Sequence, residues 1–144
     1  MTDDLDLVTL LLEERAILRT LHRYCHAMDY GLEDEWVGTF TEDGVFDVSR
    51  MGGDLIHREE GRDELAAYVA RYPKPPDSYH KHIVLDPIIE IDGDVANVAS
   101  YFLALRDGDD GKPNLFTFGR YRDRLRKVEG EWLIEERIAE VEAA

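Results

Sequence analysis

Three side chains of this sequence combine the types needed to move a proton. His80 and His82 lie two residues apart in the run His80-Lys81-His82-Ile83-Val84-Leu85, and the two-residue period of a strand puts both on one face with Val84. Asp29 closes a helical stretch in which Ile17, Leu18, Leu21, Tyr24, Cys25 and Met28 recur at three- and four-residue steps. It falls at the edge of that apolar stripe. An imidazole works as a base near neutral pH, and a carboxylate on one ring nitrogen fixes its tautomer and stabilises the imidazolium. The same three residues supply the ligand types of a two-histidine, one-carboxylate metal site. Each also has a plain structural reading: a histidine in a β-rich run can be a satisfied core or edge residue, and an aspartate ending a helix can bond local backbone. Nucleophilic catalysis has less support, because no Gly-x-Ser-x-Gly occurs and Cys25 lies on the apolar side of its helix. No glycine-rich phosphate loop is present either.

The elements that must position these groups follow from pattern. Periodicity predicts a helix over 10–29 and a short one from Leu32 to Phe40, where Leu32, Trp36 and Phe40 are spaced by four. Glu42-Asp43-Gly44 reads as a turn, Val45 to Ser49 as a short strand, and Met51-Gly52-Gly53-Asp54 as a hairpin connection returning through Leu55, Ile56 and His57. A third helix spans Asp63 to Tyr72 and stops at Pro73, Pro75 and Pro76. From His80 the pattern turns to β, with a strand through Asp86-Pro87 to Ile91, a turn at Asp92-Gly93-Asp94, and strands over 95–106, 115–128 and 132–141. Three helices and an antiparallel meander each have one apolar face to bury. The expected fold is α+β, with the helices packed on a strongly curved sheet.

Length and charge narrow the function. A chain of 144 residues is one domain, 1–144, with no room for a nucleotide-cofactor domain beside a substrate domain. Seventeen basic against 32 acidic residues leave a net charge of −15, which disfavours nucleic acid and anionic membrane as partners. The acidic start, Met1-Thr2-Asp3-Asp4, lacks the basic flank of a signal peptide, and a cytoplasmic protein is expected. One cysteine, with histidines lacking paired ligand spacings, disfavours disulfides and structural zinc.

Leu21-His22-Arg23-Tyr24-Cys25-His26-Ala27-Met28-Asp29, with Trp36, Phe40 and Thr41-Glu42-Asp43-Gly44-Val45-Phe46, resembles the start of the SnoaL-like, scytalone dehydratase-like branch of the nuclear transport factor two superfamily. Gly61-Arg62-Asp63-Glu64-Leu65, His82, Ile88 to Gly93, Gly119-Arg120-Tyr121 and Gly130-Glu131-Trp132 to Arg137 continue the resemblance over nearly the whole chain. It implies a cone-shaped, cystatin-like α+β barrel. It also implies a catalytic pair in which Asp29 orients His82, and an arginine, Arg137, that closes the pocket over a leaving group or a substrate oxygen. An ion pair of Arg137 with Asp29 or another carboxylate is the structural alternative. Tyr24 is a candidate donor to a substrate carbonyl, by a looser match, with core packing as its alternative. Phe46, Tyr101, Thr117 and Tyr121 are expected to line an aromatic pocket.

The resemblance implies a lyase of dehydratase type that needs neither cofactor nor metal and acts on a small aromatic or polycyclic substrate. Loss of another small group, such as an aldehyde, would use the same base. An isomerase and a non-catalytic binding or assembly domain are the alternatives. Ser100-Tyr101-Phe102-Leu103 has no second pocket histidine of the kind scytalone dehydratase carries, so scytalone itself is not the expected substrate. Arg120, Arg122, Arg124 and Arg126 form a ladder on the face opposite the pocket, expected to pair with Glu136 and Glu140. In this family that face commonly meets another subunit, so a homo-oligomer is expected, a trimer before a dimer.

Overall fold

Ile17, Leu21, Tyr24 and Met28 are all almost completely buried, and their spacing of four, three and four draws one stripe along a helix. That stripe presses the helix into the hollow of a sheet. The computed structural model describes residues 4–144, in the order α1 (Asp4–Tyr30), α2 (Glu33–Gly38), β1 (Phe40–Arg50), β2 (Leu55–Glu60), α3 (Gly61–Arg71), β3 (His80–Asp92), β4 (Val95–Asp107), β5 (Pro113–Val128) and β6 (Glu131–Ala143). The six strands form one unclosed, curved sheet in the order β2-β1-β6-β5-β4-β3. Only β1 and β6 pair in parallel; every other neighbour is antiparallel.

Polar ties set where α1 lies. Thr20 Oγ1 donates to the Trp132 carbonyl at 2.6 Å, and Glu13 accepts from Lys127 Nζ and from the Trp132 indole. Gly31 then takes a left-handed φ of 71°, which ends α1 without a Cβ clash. Glu33, Asp34 and Glu35 occupy the first turn of α2, where the helix dipole favours negative charge. Tyr72 leaves α3 in extended conformation, as the residue before Pro73 must.

The expected helices and strands are present with shifted ends, and several register irregularities bend the sheet. Glu42-Asp43-Gly44 lies inside β1, where pairing with β6 slips between Phe40 and Val45. In β3, Asp86 has a φ of 51° and the register jumps from Leu85 to Ile88. Phe116 is the extra residue of β5 against β4, and Glu135 that of β6 against β5. Each such bulge adds twist and re-aims the residues that follow. The Glu135 bulge changes which positions point inward, from Trp132 and Ile134 before it to Arg137 and Ala139 after it. It also corrects the expected ladder. Arg120 and Arg122 bond Glu140 at 3.1 and 2.5 Å, whereas Arg124 and Arg126 reach Glu135, at 3.7 and 3.6 Å, instead of Glu136. No helix among the described residues is long and apolar enough to cross a membrane.

Candidate active site

Asp29 is in the last turn of α1 and is only 3% exposed, against the first residues of β3. Its Oδ2 accepts the main-chain N–H of His82 at 2.9 Å and its Oδ1 accepts the His82 Nδ1–H at 2.6 Å. His80 Nδ1 faces the same Oδ1 at 3.2 Å, and His80 Nε2 donates to the Pro73 carbonyl at 2.7 Å. One buried carboxylate thus fixes the end of α1, the start of β3 and the ring of His82. Because Nδ1 carries the shared hydrogen, this bonding pattern assigns the lone pair of His82 to Nε2. Tyr72 Oη lies 3.4 Å from that nitrogen. Burial, then the nearby Asp29 charge, pushes the Tyr72 phenol up to about 12. It remains a neutral donor at working pH.

Asp29, His80 and His82 also bring three potential metal-ligand atoms within 4.8 Å of one another. Their donor chemistry suits an ion less well than a proton. Both carboxylate oxygens already accept hydrogen bonds from His82, and the imidazole of His80 is spanned between Asp29 and a carbonyl. A metal would have to displace this network.

His82 opens on a cavity of about 300 Å³. Tyr24, Phe46, Tyr68, Tyr72, Phe102 and Tyr121 supply aromatic walls, with Thr117 near the rim. His82, Ala104 and Thr117 stand in register across β3, β4 and β5, so their side chains point to the same side of the sheet. The space suits a flat ligand of one or two rings, with polar groups gathered around His82. Larger hollows of about 460 Å³ beside Arg122 and Glu136 and about 650 Å³ beside Thr41 and Arg126 do not include His82, whereas a less aromatic one of about 330 Å³, between α1 and β3, is lined by Asp29, His82, Cys25 and Tyr30.

The structure therefore gathers His82, Tyr24, Phe46, Thr117 and Tyr121 around one space, with Asp29 outside it, bonded to His82 Nδ1. It does not put Tyr101 there. Tyr101 is 58% exposed and pairs with Leu85 and Arg120, whereas Tyr121 is opposite Ser100. Directly opposed residues share a face, so Tyr101 points outward with the arginine ladder and Phe102 takes the inner place. Arg137 is corrected as well. It is fully buried, does not line the cavity, and makes a two-pronged ion pair with Asp123 at 2.8 and 2.9 Å. Its guanidinium carbon lies 4.2 Å from the Tyr24 ring centre and 3.6 Å from that of Tyr121. Burial alone would lower the Arg137 pKa, but Asp123 overrides it and holds the group above its ordinary value. Arg137 braces two cavity walls from behind.

Sequence reasoning missed Asp123, Tyr68, Tyr72, Phe102 and a second histidine, His57. Asp123 alternates with the outward arginines of β5 and so shares the inward parity of Tyr121, a signal that was present. Tyr72 was legible only as the end of a helix, since nothing local says that α3 brings it to β3.

Residues 9–138 match the SnoaL-like domain family. An Asp→Asn variant of a Mycobacterium tuberculosis protein of unknown function superposes with a TM-score of 0.82 at 28% identity, over 96% of this chain and 76% of that one. A Novosphingobium aromaticivorans protein with a proposed identity as a scytalone dehydratase gives 0.76 at 25% identity, over 94% and 87%. Another from that organism, the beta subunit of a proposed aromatic-ring-hydroxylating dioxygenase, gives 0.84 at 16% identity, over 94% and 93%, a likeness of fold alone. A comparison with curated proteins finds no match.

Proposed function

The chain belongs to the SnoaL-like domain family, and from that premise we propose that it is a cofactor-independent lyase of dehydratase type for a small aromatic or polycyclic substrate. The observation that carries this reading is the Asp29–His82 contact at 2.6 Å, which leaves one imidazole nitrogen lone pair at an aromatic cavity. His82 Nε2 takes a proton from a carbon made acidic by a neighbouring carbonyl. Asp29 holds the resulting imidazolium, an arrangement worth about 10²–10⁴ in rate. The phenols of Tyr24 and Tyr72 donate to the oxygen on which negative charge develops. A hydroxyl on the adjacent carbon then departs as water. The protein acts in the cytoplasm, as a homo-oligomer that meets its copies through the outer face of the sheet.

The test is a screen of hydroxylated aromatic ketones against the purified chain, read by mass. A product lighter by about 18 mass units identifies water loss, and one lighter by about 30 identifies loss of formaldehyde. Isomerisation without mass change would reassign the reaction while keeping the base. The second reading is a non-catalytic small-molecule-binding or subunit-assembly domain, the kind of part that the beta subunit of similar fold is in its own assembly. It predicts that no compound is consumed, with or without binding.

A further inference from the structure

A second histidine and carboxylate meet on the wall of the same cavity. In the β1–β2 pairing, His57 is opposite Val48 and Glu59 is opposite Phe46, so the two side chains project from one face of β2. His57 Nδ1 lies 2.8 Å from Glu59 Oε2. The imidazole stacks on Tyr68 with centroids 4.9 Å apart and meets Phe46 edge-on at 5.6 Å. These contacts fix its plane and direction. With Nδ1 committed to Glu59, Nε2 is bonded by no protein group among the described residues, and His57 lines the cavity that His82 also lines. The two imidazoles differ in access: the His57 side chain is 30% exposed and that of His82 12%. A sphere of 300 Å³ is about 8 Å across, the width of a ring with its substituents.

We propose that His57, held by Glu59, is the general acid of the elimination that His82 begins. The inference rests on the reading of His82 as the base. His82 Nε2 removes the proton from carbon and the C–H electron pair passes into the enolate; as the enolate collapses, that pair becomes the new double bond and the adjacent C–O bond breaks with its own pair. The departing oxygen takes the Nε2 proton of the His57 imidazolium, so that water leaves instead of hydroxide. The turnover ends with His82 protonated and His57 neutral. His82 then loses its proton to solvent, and His57, the more exposed ring, regains one at the cavity mouth while Glu59 balances its charge. The sum is substrate to unsaturated product plus water.

The experiment uses the full chain and two probes of similar size. 5-Nitrobenzisoxazole opens when a base takes its ring C–H proton, and its phenolate leaves without help. 4-Hydroxy-4-phenylbutan-2-one must shed a hydroxyl. His57→Gln is expected to slow the dehydration at least about 100-fold more than it slows the ring opening, and Glu59→Gln to shift the same ratio in the same direction. Equal effects on both probes, or none, overturn the proposal. So does a wild-type chain that opens the benzisoxazole but leaves the hydroxyketone untouched. His82→Ala separates the two claims: ring opening that survives it, or a wild type that opens neither probe, sinks the base itself. A readout without turnover is the titration of the histidine side-chain NMR signals with 4-nitrophenol. His57 and His82 should shift together along one binding curve, and a shift confined to His82 removes His57 from the site and overturns the proposal.

Discussion

Arg137 and Asp123 show how a charge can serve a cavity without entering it. Both side chains are fully buried and joined by two bonds, so removing one partner strands the other in an apolar surround. Asp123→Asn is expected to cost about 3–5 kcal/mol, measured by urea unfolding, whereas replacing both partners with apolar residues of similar volume should cost much less. Cys25 makes a complementary prediction. Burial pushes its thiol up to about 11, and only the thiolate is nucleophilic, so at pH 8 roughly one thiol in a thousand is reactive. Iodoacetamide should leave the native chain unmodified for hours and label it fully in urea; rapid native labelling would contradict the burial. At this scale the places of Asp29 and His82 were legible because a helix end and a strand start are local features, whereas their pairing was implied only by the family resemblance. The partner of Arg137 was half legible: alternation with the arginines of β5 turns Asp123 inward, but that it stands opposite Arg137 depends on the β5–β6 register.

The strands place the site through their irregularities. Gly119 lies where β5 bends against β6, and a Cβ built there would approach the Glu140 carbonyl oxygen to 1.9 Å. Gly119→Ala should therefore force the two strands apart and cost about 1–3 kcal/mol or more, read as a fall in Tm. Gly38→Ala is the control, since a Cβ there meets nothing within 4 Å and should leave Tm nearly unchanged. A Gly119→Ala chain as stable as the wild type would contradict this packing. The same irregularities mark where sequence reading stopped. Alternation predicts faces only within an unbroken strand and in a known register, so Tyr101 was assigned to the pocket although it pairs with Arg120, and Glu136 was assigned to a ladder that the bulge hands to Glu135. Bulges depend on the neighbouring strand, and the neighbours of β6 include β1, about 90 residues earlier.

Across the whole molecule, charge and apolar surface divide by face. The concave side holds α1 and the cavity, whereas the outer side of the sheet presents Tyr101, Ile88, Leu85 and Phe118 beside arginines already neutralised by Glu140 and Glu135. A chain of net charge −15 repels its own copies, so their association needs such a neutralised, apolar area. Sedimentation of wild type should show an oligomer that Ile88→Lys with Tyr101→Lys dissociates; a monomeric wild type would contradict the assembly. The layout of helices on a curved sheet was legible from periodicity and from family resemblance together, because long amphipathic segments state which face they bury. The use of the cavity was less so, since its walls come from α1, α3 and all six strands, whose meeting no single segment encodes. The Asp29–His82 base is tested most directly by the initial rate of 5-nitrobenzisoxazole opening in wild type, His82→Ala and Asp29→Asn, with folding checked by circular dichroism. A fall of about 10²–10⁴ for His82→Ala and a smaller one for Asp29→Asn, in normally folded chains, is the expected result. Rates within twofold of wild type in both variants would contradict it.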